Sequence, residues 1–205
     1  FAVGASLIGL TAFVPTYLIV GAGTSPLVAG LALATLTVGW PIASVLAGKL
    51  YLRIGFRSTS ILGATIVLVA SVALAALGHA PSVPMIAILS CAMGVGYGFA
   101  AMTTLVAAQS SVNWDERAVV TGANMFTRSM GQAIGAAIFG AVANGVIAAE
   151  GGDETDPATI VLATTAVFIG VAIISLPLLA GALSMPVLGL GSIYLLAKAL
   201  QTLPV

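Results

Sequence analysis

The stretch GKLYLRIGFR, residues 48–57, separates two long apolar runs and carries three of the six Lys and Arg residues in the chain, Lys49, Arg53 and Arg57. The chain has 205 residues, of which 60% are hydrophobic and only 6% are charged. Soluble domains carry roughly 25% charged residues, so this chain has too few polar side chains to cover a surface that faces water. Most of its surface must therefore face lipid, and the gathering of positive charge in one short turn needs a reason.

Composition and motif content exclude several classes of function. The net charge is zero, which gives no reason to expect nucleic acid as a partner. The single cysteine, Cys91, forms neither an internal disulfide nor a thiolate metal site, and no zinc or calcium ligand spacing occurs. An intramembrane serine protease needs a serine beside a base, but the chain has one histidine and no GxSxG motif. We therefore expect no enzyme activity, no metal and no cofactor.

Six apolar runs are each long enough to cross a bilayer as a helix, which takes about 20 residues. Backbone groups in hydrocarbon must be satisfied within their own segment, and the alternating pattern of a membrane β-barrel is absent, so the sequence predicts helices. Capping residues support three of the starts, at Ser25, Asn113 and Asp156. The predicted spans are residues 1–20, 26–50, 61–78, 85–109, 114–149 and 157–183.

The last segment, residues 186–205, is apolar apart from Lys198 and Gln201. It is open to two interpretations, a weak seventh span or a helix that lies in the membrane interface. Lys198 would be costly in the middle of the membrane, which favours the interfacial helix. We therefore predict two parts, a six-helix transmembrane bundle over residues 1–185 and an apolar C-terminal tail.

Successive connecting loops lie on alternate sides of the membrane, and the loops that carry Lys or Arg fall on the same side. The loop between spans 2 and 3 is basic, the loop between spans 4 and 5 carries Arg117, and the loop between spans 5 and 6 has four acids and no base. By the positive-inside rule, the basic loops face the cytoplasm. The sequence therefore predicts a multi-pass protein of the plasma (inner) membrane, with both ends of the six-helix unit in the cytoplasm.

The spans also differ in composition. Spans 3 and 6 are aliphatic and suit a lipid-facing position, whereas the other four carry glycine and polar residues, which favour close helix packing or a wet cavity. Residues 94–98 and 131–135 each form a GxxxG pair. SPLVAG (residues 25–30) and RAVVTG (residues 117–122) each open the middle helix of a triplet, which indicates two three-helix repeats, the second inverted in the membrane.

The pattern GxLxxRxGxR in residues 48–57 resembles the conserved loop motif of the major facilitator superfamily, G-x-L-x-D-r-x-G-r-k. In that family a carboxylate helps to latch one half of the transporter against the other, and Leu52 takes its position here, which puts the latch in doubt. In physical terms, the first glycine suggests close approach by a neighbouring helix and the second a left-handed turn. The positions that fit the motif are Gly48, Leu50, Arg53, Gly55 and Arg57.

Four longer stretches, residues 9–18, 39–50, 94–112 and 119–140, resemble the C-terminal half of drug:proton antiporters with fourteen helices. The resemblance covers about residues 1–186 and implies an all-α membrane fold, one half of a major facilitator-type bundle. In such a half, spans 1 and 4 line a cavity, spans 2 and 5 pack on the other half, and spans 3 and 6 face lipid. It implies proton-coupled efflux of drugs or other amphiphilic compounds by alternating access, with a small-molecule substrate, protons, the lipid bilayer and a missing N-terminal half as partners. We therefore expect the chain to be a fragment.

Polar residues within the spans are candidates for the substrate cavity. Arg128 lies either at the cytoplasmic boundary, where its side chain can snorkel, or within the membrane, where it needs a partner. The resembling family has an arginine in its F-x-R-x-x-G segment, here residues 126–131. The candidates are Thr11, Thr16 and Tyr17 on span 1, Thr103 and Thr104 on span 4, and Asn124, Arg128 and Gln132, spaced by four on one face of span 5.

Two other functions remain open at this point. One is a six-helix structural or assembly module without transport of its own. The other is a facilitator-type importer of a metabolite, which would share the fold. Sequence upstream of Phe1 would separate the module from a transporter, because a second pair of triplets with an acidic residue inside a helix supports transport.

Overall fold

The computed structural model describes residues 1–77, 82–151 and 156–185, and these residues form six long helices and no strand. Each of the six is long and apolar enough to cross a membrane, which confirms the predicted fold class. The tail over residues 186–205 lies outside the described residues, so the two interpretations of it stay open. The helices are α1 (Ala2–Thr16, continued by a π-helical turn, Tyr17–Gly21), α2 (Pro26–Ile54), α3 (Phe56–Ala76), α4 (Val83–Ser110), α5 (Arg117–Ala149, after a 3₁₀ turn, Trp114–Glu116) and α6 (Pro157–Ser184).

The helix starts that the sequence predicts from capping residues are confirmed. The Ser25 hydroxyl accepts a hydrogen bond from the Val28 amide at 3.4 Å, and an Asp156 carboxylate oxygen accepts one from the Thr159 amide at 2.9 Å. Asn113 forms the expected capping box with the residue three positions later. These side chains satisfy amide groups that the first turn of a helix leaves without a partner.

The corner between α2 and α3 is a single residue, Gly55. Its φ of 87° and ψ of 161° lie in a region that glycine alone adopts readily, so the positive φ expected at this motif position is confirmed. The rings of Tyr51 and Phe56 stack across the corner with centroids 4.7 Å apart. Helix α3 begins earlier than predicted because the Thr59 hydroxyl donates to the Gly55 carbonyl at 3.0 Å and so fits inside the first turn.

The two helix triplets are interleaved. Helix α1 packs mainly against α5 and α6, helix α4 packs mainly against α2 and α3, and α3 and α6 meet each other. The first helix of each triplet therefore packs against the second and third helices of the other triplet. Three connections separate α1 from α4, so these two equivalent helices run in opposite directions, as expected of an inverted repeat.

Close backbone contacts repeat between the triplets. A Cβ atom added to Gly4 of α1 would strike the carbonyl of Arg128 on α5, and one added to Gly94 of α4 would strike the carbonyl of Leu36 on α2. Gly94 follows Gly4 by 90 residues, and Arg128 follows Leu36 by 92 residues. The two contacts are therefore equivalent when α1 of the first repeat is matched to α4 of the second, and α2 to α5.

A second pair of contacts obeys the same pairing. A Cβ atom on Gly39 would lie 2.8 Å from the Cys91 carbonyl oxygen, and one on Gly131 would strike the Phe1 carbonyl oxygen. Gly131 follows Gly39 by 92 residues, and Cys91 follows Phe1 by 90 residues. Four glycine contacts thus share one pseudo-twofold relation, which supports the repeat that the short sequence match suggested.

Glycine accounts for packing at the two GxxxG pairs but not in the basic corner. A Cβ atom on Gly98 would lie 2.6 Å from the Trp40 carbonyl oxygen, and one on Gly135 would lie 2.9 Å from the Ala5 Cα atom. At Gly48, a Cβ atom would meet no described heavy atom within 4 Å, so no described helix of this bundle approaches it, and the close approach expected there stays a prediction. The basic corner owes its shape to the second glycine of the motif.

We predict that Gly94→Ala destabilises the bundle and that Gly30→Ala does not. The methyl group at position 94 would force α4 away from the α2 backbone, at a cost of about 1–3 kcal/mol in the free energy of unfolding. Gly30 also lies in a helix, but a Cβ atom there meets nothing within 4 Å. Unfolding of the purified protein in detergent measures both changes. Equal stability of the two variants would contradict the close approach of α2 and α4.

Candidate functional site

A cavity of about 510 Å³ opens between α1, α4, α5 and α6, near the helix ends that adjoin the basic loops. Pockets that bind small molecules commonly measure about 300–1,000 Å³. Small apolar side chains form most of its wall, and Ser60 at the start of α3 closes one corner. The other polar side chains of its wall are Thr104, Asn124, Thr127 and Arg128.

Arg128 is the charged residue of this wall, and it contacts an aromatic ring across the bundle. Its guanidinium carbon lies 4.5 Å from the centre of the Trp40 ring on α2, a cation–π contact worth about 0.5–2 kcal/mol. Within the described residues, no ion pair or hydrogen bond joins the guanidinium to an acceptor. The contact with Trp40 therefore positions the charge without neutralising it.

The aromatic partners place this charge at mid-height in the bundle. Trp40 lies near the midpoint of the 29-residue α2, and its ring lies 5.6 Å from the ring of Tyr97, near the midpoint of the 28-residue α4. At 1.5 Å per residue, Arg128 lies about 16 Å along α5 from Arg117, which marks the basic end of that helix. The guanidinium is therefore level with the middle turns of α2 and α4, and both positions that the sequence leaves open for Arg128 stay predictions.

The eight candidate residues from the sequence separate into three groups. Thr104, Asn124 and Arg128 line the large cavity. Thr16 lines a second cavity of about 240 Å³ between α1, α5 and α6, together with Asn144 and Thr164. The remaining candidates line neither cavity and are Thr11, Tyr17, Thr103 and Gln132.

Three residues near the Arg128 guanidinium are not among the cavity residues predicted from the sequence. Thr127 lines the cavity beside Arg128, and only its position next to the arginine of span 5 could have indicated it. Trp40 and Tyr97 are aromatic residues in apolar helices, where packing is the usual role. Their pairing with a charge on another helix has no local signal in the sequence.

Two fully buried tyrosines differ in how their hydroxyl groups are satisfied. The Tyr17 hydroxyl donates to the Leu77 carbonyl at 3.2 Å, and its ring packs edge-on against Phe168. The Tyr97 hydroxyl lies near Ser6 but makes no hydrogen bond of good geometry with a described residue. Tyr17 is therefore part of the core, whereas Tyr97 brings an unsatisfied polar group to the centre of the bundle.

The basic motif lies apart from the cavity, around the corner between α2 and α3. Arg53 is exposed and Arg57 is half-buried, and the described residues offer neither of them an ion pair. Leu52, which takes the acidic position of the motif, is 57% exposed at the end of α2. An apolar side chain at this place has no charge with which to hold another bundle.

We predict that Tyr17→Phe destabilises the protein and that Tyr97→Phe does not. The first substitution deprives the Leu77 carbonyl of its donor and costs about 1 kcal/mol in the free energy of unfolding. The second removes a buried hydroxyl that lacks a partner, so the stability stays equal or rises. Thermal unfolding of the two variants in the same detergent makes the comparison. A loss at Tyr97 equal to the loss at Tyr17 would show that the Tyr97 hydroxyl has a partner.

Comparison with known proteins identifies the family of this fold. The model of the Major Facilitator Superfamily matches residues 1–136, which is more than half of the chain and includes α1 to α4 and the first part of α5 with Arg128. No curated protein matches the chain. Members of the matched family are membrane transporters rather than enzymes, in agreement with the six apolar spans. The chain belongs to the major facilitator superfamily.

Proposed function

We propose that the chain is part of a proton-coupled efflux transporter that expels drugs or other amphiphilic organic compounds by alternating access. The cavity of about 510 Å³ carries this proposal, because apolar walls suit a hydrocarbon or aromatic body and a few polar groups orient it. The resemblance of residues 1–186 to drug:proton antiporters supports the direction of transport and the substrate class. The aliphatic helices α3 and α6 are proposed to face lipid.

A second six-helix bundle of the same transporter is the proposed partner of α2 and α5. Helix α5 leaves Asn124 and Thr127 exposed beside Met125 and Phe126. A polar amide is costly against lipid, so this mixed face suits a protein or a wet cavity. Substrate would then bind between the two bundles near the middle of the membrane, and rocking of one bundle against the other would expose it to each side in turn.

The proton-carrying carboxylate is proposed to belong to that second bundle. The acids that the structure describes, Asp115, Glu116, Glu150 and Asp156, lie at helix ends or in the turn before α5. Proton relays in transporters use acidic or histidine side chains inside the membrane. The six helices supply no such carboxylate, so coupling to protons needs residues from elsewhere in the transporter.

We predict that cells expressing the complete transporter accumulate less of at least one toxic amphiphile from a panel of anionic, neutral and cationic compounds. Collapse of the proton gradient with an uncoupler should abolish the difference, because exchange with protons drives the efflux. Intracellular accumulation measured with and without the uncoupler tests both points. The chain reconstituted alone in liposomes serves as the control and should show no proton-driven uptake.

Three results would contradict parts of this proposal. Equal accumulation of every compound in expressing and control cells would favour a structural module. Efflux that persists after the proton gradient has collapsed would remove the proton coupling but leave transport in place. Uptake driven by protons in liposomes that hold the chain alone would place the titrating group within it.

We also predict that the basic corner faces the cell interior of the plasma (inner) membrane. In a Cys91→Ala background, a cysteine at position 53 should react with a membrane-impermeant maleimide in inverted vesicles but not in intact cells. Glu150→Cys, at the opposite end of α5, should show the reverse pattern and serves as the matched control. Labelling of position 53 in intact cells would contradict the orientation.

A further inference from the structure

The large cavity carries one further inference, which rests on the proposed transport function. We propose that the cavity selects amphiphiles that bear a carboxylate headgroup, and that Arg128 binds this headgroup. The proposal stands on three observations. They are an uncompensated cation at mid-height in the bundle, free hydrogen-bond donors around it, and an apolar chamber next to it.

The first observation is the isolation of the positive charge. Among the described residues, the wall of the cavity contains Arg128 and no Asp or Glu. The described acids lie at the ends of helices, whereas the guanidinium lies level with the midpoints of α2 and α4. A cation in the membrane interior without a counter-charge is costly, so the site favours the entry of an anion.

The second observation concerns the donors that an anion would meet. The Thr104 and Thr127 hydroxyl groups donate to carbonyls of their own helices, at 2.6 and 2.7 Å. Asn124 lies one helical turn before Arg128 on the same face of α5 and lines the same cavity. The amide of Asn124, the guanidinium and the Ser60 hydroxyl, for which no hydrogen bond is described, are therefore the side-chain donors on this wall that remain available to an anion.

The hydrogen-bond donors of the guanidinium suit a carboxylate. The guanidinium carbon lies 4.5 Å from the centre of the Trp40 ring. Within the described residues, no hydrogen bond occupies the N–H groups of this planar group. Two parallel N–H groups at the edge match the two oxygens of a carboxylate, an arrangement that a lysine cannot offer.

The third observation is the space beyond the charge. The cavity of about 510 Å³ is far larger than a carboxylate, and Val120, Leu178 and Ala182 on α5 and α6 contribute to its apolar wall. A hydrocarbon or aromatic body fits such a wall better than water does. A cationic amphiphile of the same size would bring its charge next to Arg128 and be disfavoured. The occupant is therefore an amphiphile with a negative head.

The test uses three compounds with the same ten-carbon chain: decanoate, decanol and decyltrimethylammonium. Binding to the full chain in lipid nanodiscs is followed by the fluorescence of Trp40, in a Trp114→Phe background that leaves Trp40 as the one tryptophan. Decanoate should change the emission saturably and the other two compounds should not, because the headgroup alone differs. Arg128→Gln should raise the dissociation constant for decanoate about tenfold or more, the effect of losing a charge-assisted hydrogen bond.

Two further variants separate binding from stability. Arg128→Lys keeps the charge but loses the paired donors, so decanoate should bind with an affinity between those of wild type and Arg128→Gln. Arg117→Gln is the matched control, because Arg117 is an arginine on the same helix, α5, but lies outside the cavity. Its affinity for decanoate should equal that of the wild type.

Each outcome bears on one proposal. Equal binding of the three compounds to the wild type, or an equal effect of Arg128→Gln and Arg117→Gln on decanoate, would overturn the role of Arg128. Efflux of decanol and decyltrimethylammonium but not of decanoate by the complete transporter would overturn the charge preference and leave the transport function standing. Efflux of no compound in the panel would instead contradict the proposed function.

Discussion

The bundle depends on close contacts between helix backbones with no side chain between them, such as Gly4 against Arg128 and Gly94 against Leu36. Lipid tails are as apolar as leucine, so hydrophobic burial does little to hold spanning helices together, and close van der Waals contact takes over. These contacts fix α1 on α5 and α4 on α2. The cavity and the ring contact of Arg128 both arise from the resulting spacing.

The helices themselves could be predicted from the sequence because bilayer thickness and capping chemistry act locally. Six apolar runs, the caps at Ser25 and Asp156 and the special turn at Gly55 all follow from neighbouring residues. The predicted start of α3 is wrong because the Thr59 hydroxyl donates to a carbonyl in the first turn of its own helix. A threonine therefore need not mark a helix end.

The cavity residues were harder to predict for a related reason. Spans that are apolar all round give no contrast between the face toward lipid and the face toward protein, so a threonine such as Thr103 can point into the core as easily as Thr104 points into the cavity. Arg128 stood out by its charge alone. Its partner Trp40 is distant in sequence, and only the crossing of the triplets brings the two together. The site then departs from the internal symmetry: position 36 holds a buried leucine where the equivalent position 128 holds an arginine.

The contact between Arg128 and Trp40 has a mechanical consequence. Arg128 is fixed to α1 through its backbone, whereas Trp40 lies on the helix fixed to α4, so the ring and the charge sit on two separately locked pairs. A slide of one pair along the other by a single helical turn, about 5.4 Å, would part them completely. The fluorescence of Trp40 would therefore report how far the α1–α5 pair has moved along the α2–α4 pair.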